Sequence, residues 1–136
     1  MILADTSAWI EFDRATGSSV DLRITELISN SGSLVVTEPI IMEIIAEARS
    51  QQHESDLRRL LLRFDLLGFD AAIDFEGAAR LYRKCRLSGI TPRGMVDCMI
   101  ASVASRYEAS LLTSDADLIR IAKIAQIDID DASIFK

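Results

Sequence analysis

Three short stretches of this chain are apolar without interruption, and each runs into a polar residue: Ile2-Leu3-Ala4 before Asp5, Leu34-Val35-Val36 before Thr37, and Leu111-Leu112 before Thr113. A strand with one wet face alternates apolar and polar residues, whereas continuous runs of this length suit strands covered on both faces. Between them lie segments with helical spacing. The plainest is Val96, Met99, Ile100, Val103, Ala104 and Tyr107, at i, i+3, i+4, i+7, i+8 and i+11. Further helices are predicted over 8–13 behind a Thr6-Ser7 cap, and over 19–29 with Asn30-Ser31-Gly32 as the stop signal. Others run from Pro39 through Ala48, over 54–64, over 74–86 closing at Ser88-Gly89, and over 115–123. Leu66-Leu67-Gly68-Phe69 reads as a short third strand and Ile127-Asp128-Ile129 as a closing edge strand. Strands alternating with helices predict an α/β sandwich around a central parallel sheet of four or five short strands. At 136 residues, 49% hydrophobic and 26% charged, the chain suits a single globular domain over 1–136.

Several classes of function drop out early. No uncharged run approaches the ~18 apolar residues of a membrane span. Met1-Ile2-Leu3-Ala4 leads straight to Asp5, without the basic flank and ~7 to 15 apolar residues of a secretory signal, so a cytoplasmic location is expected. Cys85 and Cys98 have no Cys or His at metal spacing and read as reduced, packed thiols. The single histidine, His53, lies in the polar stretch from Ser50 to Ser55 and reads as a solvated loop or helix-end residue, which sets aside zinc and His-based chemistry. The net charge of -6 has the wrong sign for broad electrostatic binding of nucleic acid. Yet no acid falls between Glu76 and Asp97, where Arg80, Arg83, Lys84, Arg86 and Arg93 lie, and Arg58, Arg59 and Arg63 form a second group. Such clusters suit either a solvated helix face or contacts to an anionic substrate.

Ligands of parallel α/β sheets bind outside the carboxyl ends of the strands. Asp5 follows the first strand directly, and Asp115 follows the Leu111 strand after one serine, so both are predicted on the same sheet edge. Asp97 falls in the first turn of its helix beside Val96 and Ile100, and Glu43 is flanked by Ile40, Ile41, Met42, Ile44 and Ile45. An ionised carboxylate among apolar neighbours is costly unless something pairs with it. Structural roles are open to them too: Asp97 and Asp115 as charges at helix N-termini, worth ~0.3 to 1 kcal/mol, and Asp5 as a cap. Glu43 has the weakest structural reading. Four acids without a base among them suit a hard, oxygen-binding cation such as Mg²⁺ or Mn²⁺.

Taken in order, Ile2-Leu3-Ala4-Asp5-Thr6-Ser7-Ala8-Trp9-Ile10, Glu38-Pro39-Ile40-Ile41-Met42-Glu43, Asp97-Cys98-Met99-Ile100-Ala101 and Leu112-Thr113-Ser114-Asp115-Ala116-Asp117-Leu118 resemble a PIN-domain ribonuclease, specifically the VapC toxins of bacterial toxin–antitoxin pairs. The resemblance implies a PIN-like α/β/α sandwich and an Mg²⁺- or Mn²⁺-dependent endoribonuclease. Its catalytic, metal-binding acids map onto Asp5, Glu43, Asp97 and Asp115, with Asp117 a further candidate ligand. It also implies an RNA substrate such as tRNA or another structured RNA, cleaved by metal-activated water to leave a 5′-phosphate and a 3′-hydroxyl. A cognate VapB-type antitoxin and a homodimer are implied as partners. Leu118 departs from the phenylalanine frequent in the family, a difference of packing.

Thr6 and Thr113, next to the strand ends, are expected to hydrogen-bond these acids. Arg93, four residues before Asp97 in the loop Thr91-Pro92-Arg93-Gly94, is the base expected nearest the acidic edge and the preferred phosphate contact, with Arg86 second. Glu38 and Glu47 read as a helix-start charge and a solvated neighbour. The segments 40–45 and 57–67 carry more large aliphatics than one buried face needs, so part of that surface is expected to be interface. A receiver-like or haloacid-dehalogenase-like phosphotransfer domain also puts aspartates after parallel strands. It fits poorly, because the first strand supplies one acid and no lysine follows a later strand. An inert binding scaffold has little physical reason to hold four repelling carboxylates together.

Overall fold

The computed structural model describes residues 1–30 and 32–133. Its elements run β1 (Ile2–Ala4), α1 (Thr6–Asp13), α2 (Ser19–Ser29), β2 (Leu34–Val36), α3 (Glu38–Ala46), α4 (Gln51–Leu61), β3 (Asp65–Leu66), α5 (Ala71–Leu87), α6 (Met95–Tyr107), β4 (Ser110–Leu112) and α7 (Ala116–Ala125). The strands form one parallel sheet in the order β3-β2-β1-β4. Leu3, Ala4, Leu34, Val35, Val36, Leu111 and Leu112 are all buried, as continuous apolar strands flanked by helices require. Ile24, Ile40, Ile100, Leu118, Ile119 and Ile121 close over them, each burial worth roughly 1.5 to 3 kcal/mol before chain entropy is counted. Cys85 and Cys98 are free and fully buried in this core. Among the described residues no helix is long and apolar enough to cross a membrane.

The sequence places most elements, and local capping explains where their ends differ. The cap of α1 is Asp5, whose side chain accepts from Ala8 N; Thr6 and Ser7 are already helical. Ser50 caps α4 and Asp70 caps α5, each four residues before the predicted start. That puts Asp74 in a buried first turn rather than at the helix entry. The third strand is Asp65–Leu66, an exposed edge strand that leaves the sheet after Leu67 N donates to Val36 O at 2.7 Å. The predicted closing strand is a single bridge between Leu111 and Ile129. Asn30 and Gly32 (φ +112°) stand at the predicted stop after α2, while Ser31 of that signal, like residues 134–136, lies outside the described residues. His53 sits in the first turn of α4, where Nε2 meets Asp13 at 3.0 Å and Nδ1 accepts from Arg49 N.

The longest helix, α5, packs closely along α6, and Gly77 makes that approach possible, since a Cβ there would collide with Ser102 Oγ. The pair therefore lies closer than side chains would otherwise allow. α7 packs against both helices, and α1 against α2 and α3.

Candidate acidic site at the strand ends

The parallel register sets Ala4 beside Leu112, so Asp5 and Thr113 leave their strands side by side. Asp5 then turns into α1, and its carboxylate, 3% exposed, takes three donors: Ala8 N at 2.9 Å and Ser7 Oγ at 2.7 Å on Oδ1, and Thr113 Oγ1 at 2.7 Å on Oδ2. Ser7 Oγ also accepts from Ser114 N at 2.9 Å, and Thr113 Oγ1 from Asp115 N at 2.9 Å. These hydroxyls tie the end of β1 to the loop after β4. One residue further along α1, Thr6 Oγ1 donates to Glu43 Oε1 at 2.6 Å and draws α3 toward the same place. Thr6 and Thr113 thus each hold one of the acids.

Asp97 lies half-buried in the first turn of α6 and accepts no hydrogen bond from any described residue. Burial, and then the charges of Asp115, Asp5, Glu43 and Asp117, push its carboxyl up to about 7. Asp5 is pushed up to about 6, mainly by burial; its three hydrogen bonds pull it back, and Asp115 pushes it further up. The two shifts share a cause. Five carboxylates brought to one sheet edge repel one another, and two of them resist ionisation near neutrality.

Asp115 and Asp117 part company. Asp115 caps α7, its Oδ1 accepting from Asp117 N at 2.9 Å, and stays half-buried toward the pocket. Asp117 is buried, and its Oδ2 accepts from Arg93 N at 3.1 Å, which fastens the loop before α6 to α7. Arg93 also reaches the acidic edge with its side chain: Nη2 donates to Asp115 Oδ1 at 2.8 Å, and Nε lies 3.9 Å from Asp117 Oδ2. Arg120 Nη2 lies 3.9 Å from the other oxygen of Asp117. Arg86 is not brought to the acids; it sits exposed in the last turn of α5, with no contact to them among the described residues. Glu38 turns elsewhere, its Oε1 accepting from Phe69 N at 2.7 Å, and Glu47 is exposed.

Two polar residues of this edge escaped the sequence reading. Ser7 was assigned to capping, although an Asp-Thr-Ser triplet straight after a strand is a signal that the hydroxyls serve the acid. Thr37 follows β2 as Thr113 follows β4, and the register carries it to the same level of the sheet as Asp5. It is fully buried, and its hydroxyl has no hydrogen-bond partner among the described residues.

Oxygen donors alone, in excess over nearby bases, are the donor set of a hard divalent cation. Asp5, Glu43, Asp97, Asp115 and Asp117 are the oxygen donors at this edge that could serve one. Among the described residues no three Asp, Glu, His or Cys side chains stand as a ready cage. A small hard ion does not require one, because it keeps several waters and takes one or two carboxylates directly.

Comparison with known proteins gives a consistent result. A PIN-domain family model matches residues 2–124. The VapC ribonuclease Mb1587 of Mycobacterium bovis and ribonuclease VapC11 of Mycobacterium tuberculosis are each 41% identical over 128 residues, covering 93% of this chain and 96% of theirs. Among solved structures, a chain in DNA-bound VapBC from Salmonella typhimurium superposes with a TM-score of 0.74 at 21% identity, covering 96% of this chain and 97% of that one.

Proposed function

Given that this chain belongs to the PIN-domain family, among its VapC ribonucleases, we propose that it is an endoribonuclease toxin that cleaves RNA with the help of Mg²⁺ or Mn²⁺ held by Asp5, Glu43, Asp97 and Asp115. The observation that carries the reading is the convergence of these acids, with Asp117, on one sheet edge, where Asp5 is pushed up to about 6 and Asp97 up to about 7. A bound divalent ion supplies positive charge to the phosphate oxygens and makes water a better nucleophile.

The chain's own residues prepare that event. Ser7, Ala8 and Thr113 fix the Asp5 carboxylate, and Thr6 fixes Glu43, so neither has to be ordered when substrate arrives. Asp97 holds a proton below about pH 7 in the ion-free chain and gives it up on binding the cation, so ion affinity rises with pH. Arg93 at the rim is the phosphate contact, and Arg86, exposed at the end of α5, is a second candidate for the RNA backbone. The substrate is tRNA or another structured RNA. A VapB-type antitoxin and a second copy of the chain are the partners, and Met42, Leu62 and Leu66, all more than half exposed, offer apolar surface for them. The protein works in the cytoplasm.

The test is cleavage of purified tRNA by the chain with Mn²⁺, with EDTA, and by Asp97→Asn. Cleavage that needs the ion and vanishes in the variant is expected. Undiminished cleavage in EDTA, or by metal-stripped Asp97→Asn, would overturn the mechanism. Sequencing the cut ends in induced cells then identifies the RNA.

A further inference from the structure

Arg93 reaches the acidic site from a backbone tied to the start of α7. Its backbone N–H donates to the buried Asp117 at 3.1 Å, while its side chain is 75% exposed and lies on Asp115 at 2.8 Å. The Asp115 oxygen that receives the guanidinium also accepts from Asp117 N, and the charge of that same carboxylate acts on Asp97. A guanidinium and a divalent ion on one carboxylate repel each other, so each weakens the hold of the other.

We propose that Arg93 is a built-in counter-ion of the pocket: it occupies Asp115 in the ion-free chain, is displaced when a divalent cation binds, and then pairs with an RNA phosphate. The idea rests on the reading of the pocket as a cation site. It goes beyond a simple phosphate contact, because it gives Arg93 two partners in sequence and links the two binding events. RNA that draws Arg93 away removes the competitor of the ion, and by reciprocity the ion raises affinity for RNA by the same factor. The anchored backbone keeps the guanidinium within side-chain reach of both partners. Its exposure keeps the Asp115 pair weak, so displacement is easy.

The experiment is calorimetric titration of Mn²⁺ into the metal-stripped full chain, without RNA. Arg93→Ala should bind Mn²⁺ about two- to fivefold more tightly, the range expected for loss of an exposed competing ion pair. Arg120→Ala, whose guanidinium lies near Asp117 rather than Asp115, should change the Kd less. In an Asp115→Asn background, Arg93→Ala should have no further effect. Arg93→Gln, which keeps the side chain long, should reproduce the gain if the alanine variant does not fold. If the wild type binds Mn²⁺ and both Arg93 variants bind it no better, the counter-ion role is overturned and the cation site stands. A gain that persists in full with Asp115→Asn also overturns it, since Arg93 would then act as a distant charge. If neither wild type nor variants bind Mn²⁺, the cation reading fails and the proposal falls with it.

Discussion

Among the buried carboxylates of the described residues, Asp74 and the acids at the strand ends are treated in opposite ways. Asp74, in the first turn of α5, is 0% exposed yet fully served: Arg106 donates from Nε at 3.2 Å and Nη2 at 2.6 Å, Ser102 Oγ at 2.8 Å and Asp70 N at 2.8 Å. Burial pushes its carboxyl up, but the hydrogen bonds of Arg106, Asp70 and Ser102 and the Arg106 charge outweigh it and hold the group below the usual range. At the strand ends, Asp5 and Asp97 are pushed the other way, with like charges beside them. A buried acid with its own cation belongs to the scaffold. Acids that repel one another at a sheet edge store an unmet demand for positive charge, and that demand marks a site.

The largest expected effect separates the two groups by activity. Asp5→Asn and Asp97→Asn should lose more cleavage than the ~10- to 100-fold typical of residues that only orient a metal ligand. Their melting temperature should hold or rise, because repulsion is relieved. A steep loss of stability in Asp97→Asn would place that acid with the scaffold instead. Asp74→Ala should do the reverse. It takes the acceptor from Arg106, Ser102 and Asp70 N at once and costs about 3 kcal/mol, or roughly 10 °C in melting temperature, with cleavage per folded molecule unchanged.

A pH series sharpens the contrast. The unfolded chain releases the Asp5 proton near 3.8 and the folded chain near 6, so in EDTA the folded state loses about 3 kcal/mol from this group as pH rises from about 4 to 7. Asp97 acts in the same direction. Asp74 acts oppositely, its contribution present above the ordinary carboxylate range and lost as pH falls below it. Denaturant titrations should therefore show stability declining toward neutral pH without metal and recovering with Mn²⁺. A flat profile between pH 4 and 7 would break the assignment. The smallest effect is that of Gly77→Ala, which pushes on the Ser102 hydroxyl that serves Asp74 and should cost about 1 kcal/mol in a urea melt, since crowding outweighs the gain in helix propensity.

The acids of the site were legible because each sits where a local pattern changes. Asp5 and Asp115 end apolar runs, Asp97 opens the clearest helix, and Glu43 interrupts a row of isoleucines. Asp74 was not legible as a buried group, because its partner Arg106 lies 32 residues away and periodicity carries no information about pairs between elements. The same holds for the Arg93 side chain, placed near the acids by sequence but found engaged with Asp115 22 residues on. The two weak strands, found where the sequence reads them but with other bounds, differ for another reason. Asp65–Leu66 and Ile129 pair at the sheet margins through backbone groups, which leave little trace in side-chain choice.

One hydrogen bond, from Thr113 to Asp5, spans 108 residues and joins a central strand to its last neighbour. At about 5 to 20 residues per second, the ribosome needs roughly 5 to 20 s to travel between the two. Throughout that interval β1 lacks a complete β4, and Asp5 lacks both the donor on Oδ2 and the company of Asp115. The nascent chain thus carries no assembled acidic pocket. The acidic site is therefore completed only after β4 and the loop behind it have been made.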